Sequence, residues 1–267
     1  MDGNKKLAWF AALRLDKLST TELLQLCKKV QDTEASAILL TGNVSASGKA
    51  AEDLLMLELY TNIPVYYVMG TTDYEKKSVK KTRTAATMSS SDKICWLQSR
   101  ELIELNSCTA LIGVDSWGDM ALGAGDTTEY ILATHRQIED LRHLNTKGMF
   151  KCLQDLATQD VKMARELLTT ALKKYEKVIF ATGIPPFIEN TLKDGAKPND
   201  HMLPFCVCKS MGDMLLEVMK EHSKQQLIVA AGLVHTDIEY KPLDNLCVKT
   251  CRQNNIDIET LNTIEIS

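Results

Sequence analysis

Short, almost wholly apolar runs recur along this chain, and several stop abruptly at a small polar turn. Residues 7–10, 37–40, 64–69, 94–97, 109–114, 178–181, 227–231 and 246–249 form such runs. Runs of that length, with no polar alternation, fit buried strands rather than helices, and buried strands need covering layers. Between them lie segments with helical spacing. Residues 20–30 place Leu23, Leu24, Cys27 and Val30 on one stripe, with Thr20 and Thr21 as caps and Glu22 in the first turn. Further helices are expected over 50–60, 161–175 (Met163, Leu167, Leu168 and Leu172 toward the core) and 212–222. A Pro, Asn, Gly and Asp-rich loop runs to about residue 200. This rhythm predicts an α/β fold with a parallel or mixed sheet, as one domain over residues 1–267 without repeats or a low-complexity linker.

Composition narrows the function. Charged residues make up 25% of the chain, 31 basic and 35 acidic, for a net charge of −4. Nucleic-acid binding would need a clustered basic surface, and the one local cluster, residues 76–83, reads as the solvated face of a helix. The strongest apolar run, 227–234, is far shorter than the roughly 20 residues a membrane helix requires. Lys5-Lys6 before an apolar stretch mimics a secretory leader, but Arg14 and Asp16 fall where a cleavage site should lie, so a first strand is expected there. Most of the eight cysteines are embedded in apolar segments, and Cys206-x-Cys208 and Cys247-x-x-x-Cys251 lack the CxxC spacing of a zinc site. Reduced, unpaired thiols are expected, and with them the cytoplasm or another reducing compartment.

The polar turns carry the most specific signal. In order they are Trp9–Asp16 (WFAALRLD), Leu40-Thr41-Gly42-Asn43-Val44-Ser45, Val68-Met69-Gly70-Thr71-Thr72-Asp73-Tyr74, Leu111–Asp119 (LIGVDSWGD), Phe180-Ala181-Thr182-Gly183-Ile184-Pro185-Pro186-Phe187 and Gly232-Leu233-Val234-His235. Open α/β sheets place their ligand sites at such strand ends. In order and spacing, over nearly the whole chain, this series resembles the calcineurin-like metallophosphoesterases, with their D-x-H, G-D, G-N-H-D, His and G-H-x-H blocks. The resemblance implies a four-layer α/β/β/α sandwich and a cleft at the strand ends built for two metal ions.

Set against that pattern, the chemistry is depleted. The first block's Asp and His fall on Ala12 and Arg14, and the bridging carboxylate falls on Asn43. The Asn and His of the third block fall on Thr71 and Thr72, while its Asp persists as Asp73. The His before the Ile-Pro-Pro turn falls on Gly183; of the last pair, the first falls on Leu233 and only the second is kept, as His235. Two divalent ions need anionic or imidazole ligands, and a bridging carboxylate sets their roughly 3.5–4 Å separation. Arg14 adds a guanidinium that cannot be deprotonated where a cation would sit. His235 reads equally as a ligand or as a hydrogen-bonded relic, and Asp73 can simply brace its turn. Trp117 and Pro185-Pro186 read as shape-keeping.

The expectation is therefore a degenerate phosphoesterase fold with no catalytic residues and no cofactor, acting as a binding, scaffolding or regulatory module for a protein partner. A phosphate-containing small ligand held by Arg14, Asn43, His235 and turn N–H groups is a variant of that reading. The alternative is a metal-dependent phosphoric ester hydrolase using Mn, Fe or Zn at a rearranged site, drawing on His201, Cys206, Cys208, Asp115 or Asp119 around His235. Such a site needs three or four convergent ligands.

Overall fold

In the computed structural model, residues 5–46, 49–253 and 261–266 are described. The elements in order are β1 (Lys6–Ala11), α1 (Thr20–Asp32), β2 (Ala37–Thr41), α2 (Ala50–Thr61), β3 (Val65–Val68), α3 (Val79–Ser89), β4 (Ile94–Trp96), β5 (Ile103–Glu104) and β6 (Thr109–Val114). Then come α4 (Thr146–Leu172), β7 (Lys177–Thr182), α5 (Leu203–Cys206), α6 (Lys209–Glu221), β8 (Gln226–Val234), β9 (Ile238–Leu243), β10 (Leu246–Arg252) and β11 (Asn262–Glu265).

The strands form two sheets, ordered β11-β1-β2-β3-β4 and β5-β6-β7-β8-β10-β9. β1 to β4 run parallel, as do β6, β7, β8 and β10; antiparallel β11, β5 and β9 close edges. The strand pleat explains why both faces are apolar. Leu7, Trp9, Ala11, Leu39, Val68, Leu111, Ile179 and Ala181 share a core between the sheets. Their neighbours Ala8, Phe10, Leu40, Ile112 and Phe180 point the other way, into the larger core shared with the helices. Both sheets are thus buried on both sides, giving the four-layer sandwich.

Several local details differ from the sequence expectation. Helix α1 is capped by Ser19, not by Thr20 or Thr21: Ser19 Oγ accepts the Glu22 amide at 3.3 Å, and the Glu22 carboxylate accepts the Ser19 amide at 2.7 Å. Helix α4 begins at Thr146 rather than 161, with Asn145 Oδ1 capping the Gly148 amide at 2.8 Å. Its core stripe runs Leu153, Ala157, Asp160, Ala164 and Leu168, and the carboxylate within that stripe hid the periodicity; Met163 is exposed. The basic cluster at 76–83 is not wholly solvated, because the Arg83 side chain is only 18% exposed and ion-paired. Strands β5, β9 and β11 lacked a continuous apolar run; the half-exposed alternation of Ile238–Leu243 is that of a charged sheet edge.

Candidate functional site

The carboxyl ends of the central strands meet. Ala11 pairs with Thr41 and Thr41 with Val68 in one sheet, while Val114 pairs with Thr182 and Thr182 with Ala231 in the other. Just beyond them the turns interlock by backbone. The Ala12 amide donates to Thr41 O at 3.1 Å, the Arg14 amide to Asn43 O at 3.0 Å, and the Gly183 amide to Asp115 O at 2.8 Å. The Thr72 amide donates to the Asn43 side-chain oxygen at 3.1 Å. Asp73 is the brace of this region: it accepts the amides of Val44 (3.1 Å), Ser45 (2.7 Å) and Gly70 (2.8 Å), joining the turns after β2 and β3. Burial pushes its pKa up to about 7, against the downward pull of those three amides.

Two glycines record how closely the turns approach. A Cβ on Gly70 would lie 2.4 Å from the Asn43 nitrogen, and one on Gly183 would lie 2.3 Å from Asp115 O and 2.9 Å from Met69 O. No side chain fits at 183 without backbone movement. Strain gathers here too. Ala12 (φ 48°), Arg14 (51°), Asn43 (45°), Ser116 (66°) and Leu233 (62°) are all left-handed non-glycine residues, an arrangement that costs roughly 1–3 kcal/mol each and persists only where the surroundings impose it.

The chemistry left at these ends is sparse. Ala12 and Leu233 present only hydrocarbon, and Arg14 is occupied: its Nε and Nη2 donate to the two Asp16 oxygens at 2.9 and 2.8 Å, forming a neutral pair. Thr72 is buried with its hydroxyl unpartnered. Thr71, Gly70, Ser116, Trp117, His135 and Leu233 line the gap between the turns, whose volume is about 10 Å³. That is room for one water at most. His235 is exposed, and among the described residues its side chain makes no hydrogen bond.

Sequence reasoning missed what fills this space. Tyr74, Trp117, His135 and Phe205 stack in series, with ring centroids 5.0, 6.4 and 5.3 Å apart. His135 is 4% exposed, its Nδ1 is unpartnered, and burial lowers its pKa to about 4, so the ring is neutral. Nothing around His135 in the sequence marks it, since its neighbours form no regular element longer than one turn. Beyond Phe205 lies a surface concavity of about 580 Å³, lined by Thr127, Glu129, Tyr130, Asn199, His201 and Met202.

The residues named for a rearranged metal site are dispersed in their bonding. Asp115 is buried and accepts Met69 N, Trp96 Nε1 and the Tyr74 hydroxyl. Asp119 accepts the Ala121 and Ser210 amides. His201 Nδ1 lies 3.1 Å from Thr128 Oγ1, and Cys206 and Cys208 are free thiols, as are the other six. Among the described residues no three His, Cys, Asp or Glu side chains converge in a group that could hold a metal ion.

Two facing, mostly parallel sheets with outer helices and a turn cluster at the strand ends define the fold of the calcineurin-like metallophosphoesterases, and this chain has it. It is similar to a dimetal phosphatase from Danio rerio (11% identity, TM-score 0.59, covering 94% of this chain and 88% of that one). It is also similar to the phosphopantetheinyl hydrolase of Mycobacterium tuberculosis (9%, TM-score 0.61, 94% and 91%). A third match is the protein TT1561 of Thermus thermophilus (15%, TM-score 0.53, 99% and 100%). At such identities the likeness is one of fold. No protein-family profile matches the sequence, and no curated protein matches it in sequence.

Proposed function

We propose that this chain is a catalytically degenerate metallophosphoesterase fold that serves as a binding, scaffolding or regulatory module for a protein partner. One observation carries the reading: the strand-end turns where the resemblance would put metal ligands carry Ala12, Arg14 paired to Asp16, Asn43, Gly183 and Leu233, and the gap beside Leu233, lined also by Gly70, Thr71, Ser116, Trp117 and His135, is only about 10 Å³. Charge and space both oppose a dimetal centre there. Asn43 offers one neutral oxygen, already accepting the Thr72 amide. At Gly183 a ligand side chain is sterically barred by Asp115 O. The neutral Thr72 hydroxyl supplies no proton near neutral pH to a leaving alkoxide. A phosphate-bearing ligand enters this reading through Arg14, Asn43, His235 and turn N–H groups.

The test is metal content and turnover. Protein purified and then incubated with Mn, Fe, Zn, Ni or Mg should retain no stoichiometric metal and hydrolyse neither phosphomonoesters nor phosphodiesters. Asn43→Asp alone should not rescue activity. Metal-dependent hydrolysis that disappears in His235→Ala would overturn the proposal in favour of an active hydrolase with a rearranged site.

A further inference from the structure

Helix α2 carries apolar side chains on both its faces. Its inward face comprises Leu54, Leu57, Glu58 and Thr61, all buried. The Glu58 carboxylate on that face takes Lys93 Nζ at 2.7 Å. Its outward face is apolar: Leu55 is 48% exposed, Met56 38%, Leu59 61% and Tyr60 38%. These four follow the i, i+1, i+4, i+5 positions of one helical stripe, so they form a continuous ridge. Leu24 on neighbouring α1, 44% exposed, shares the helical stripe of Lys28 and Gln31, the stripe whose Gln31 side chain reaches α2. Single exposed leucines need no explanation, but a ridge of this kind marks an interaction surface.

We infer that this ridge is a homodimer interface, in which α2 packs antiparallel against α2 of a second copy of the chain. A two-fold axis across one helix makes the same stripe serve both sides, and the ridge of Leu55, Met56 and Leu59 is its own complement. The flanking charges fit this orientation. Helices α1 and α2 both connect adjacent parallel strands, and Gln31 Nε2 donates to Tyr60 O at 3.0 Å, so their carboxyl ends lie side by side. Exposed Lys28 therefore borders the carboxyl end of the ridge, while exposed Glu52 borders its amino end. Antiparallel docking brings each Glu52 toward the partner copy's Lys28. Parallel docking would set like charges together. Area fits a weak, reversible association: with about 200 Å² for a fully exposed residue of this size, the five residues offer roughly 450 Å² per subunit, or roughly 900 Å² in total, to which the flanking Glu52 and Lys28 add.

Sedimentation velocity on the full chain, loaded from about 1 to 100 µM, tests the inference. Expected is a reversible monomer–dimer equilibrium. Leu59→Glu should be monomeric throughout with an unchanged far-UV spectrum and Tm, since the side chain is mostly solvated in the monomer. Should that variant misfold, Glu52→Lys is the second probe: it should weaken association at least about fivefold, and Glu52→Lys with Lys28→Glu should restore it. A wild-type protein that stays monomeric at 100 µM, a Leu59→Glu protein that still dimerises, or a charge reversal without rescue would each overturn the inference. These outcomes are independent of whether the strand-end cluster hydrolyses anything.

Discussion

Arg83 should be the most consequential single cation in the fold. Its Nη2 donates to both oxygens of Asp160 at 3.0 and 2.8 Å, its Nε donates to the Tyr74 hydroxyl at 3.1 Å, and that nitrogen lies 3.6 Å from Asp115 Oδ2. Both carboxylates are 1% exposed. Gln98 bridges them, accepting the Asp115 amide at 2.9 Å and donating to Asp160 at 2.8 Å. Arg83→Met keeps the stem's packing and deletes the charge, leaving two buried carboxylates without a cation. Breaking a buried pair in this way costs about 3–5 kcal/mol, a large fraction of a typical domain's stability and roughly 10 °C in Tm for a chain of this size. The pH dependence carries a sharper signature. Burial raises Asp115 from 3.8 to about 6 in the wild type, with Arg83 pulling it down and Asp160 pushing it up. A carboxyl whose folded pKa lies above its unfolded value contributes stability that is present below about 4 and is lost as pH rises through the folded value. Removing Arg83 moves that folded value higher, so the variant keeps losing stability over a wider pH span. Urea unfolding at pH 5 and pH 7.5 should therefore show a gap between the two proteins that widens with pH. A loss under about 1 kcal/mol at pH 7.5, or an equal loss at both pH values, would refute the reasoning.

Gly183→Ala tests the backbone closure at the strand ends: with carbonyls 2.3 and 2.9 Å from the new methyl, destabilisation should exceed about 3 kcal/mol by thermal or urea unfolding, above the usual overpacking cost. His135→Phe addresses the aromatic stack. The folded pKa of His135 is depressed to about 4, so its neutral ring supports the fold above the unfolded value of about 6.5 and that support is lost as pH falls toward 4. Unfolding curves between pH 7 and pH 4 should be flatter for the phenylalanine variant, and an unchanged acid slope would show that this imidazole plays no part.

Much of the architecture was legible because it rests on local rules. Strands buried on both faces leave unbroken apolar runs, and the runs at 37–40, 109–114 and 178–181 lie within β2, β6 and β7. Turns squeezed between such strands demand glycine, which is why Gly42, Gly70 and Gly183 stand out. Where burial carried a charge, the pattern was hidden. Asp160 on the core stripe of α4 concealed that helix's first half, and Arg83 looked like one more exposed cation although its partner lies 77 residues away.

The sequence alone determined that the chain forms a layered α/β fold, with Ala12, Arg14, Asn43, Gly183 and Leu233 in the turns at its strand ends, since the residue types there are explicit. Tertiary structure decided what packs beside those turns. Tyr74, Trp117, His135 and Phe205 come from four separate segments, and no spacing rule relates their positions. It also decided which face of α2 turns outward. Both faces of that helix have helical periodicity, and only packing against the sheet shows that the one with Leu54, Leu57, Glu58 and Thr61 is buried and the one with Leu55, Met56, Leu59 and Tyr60 is left to solvent.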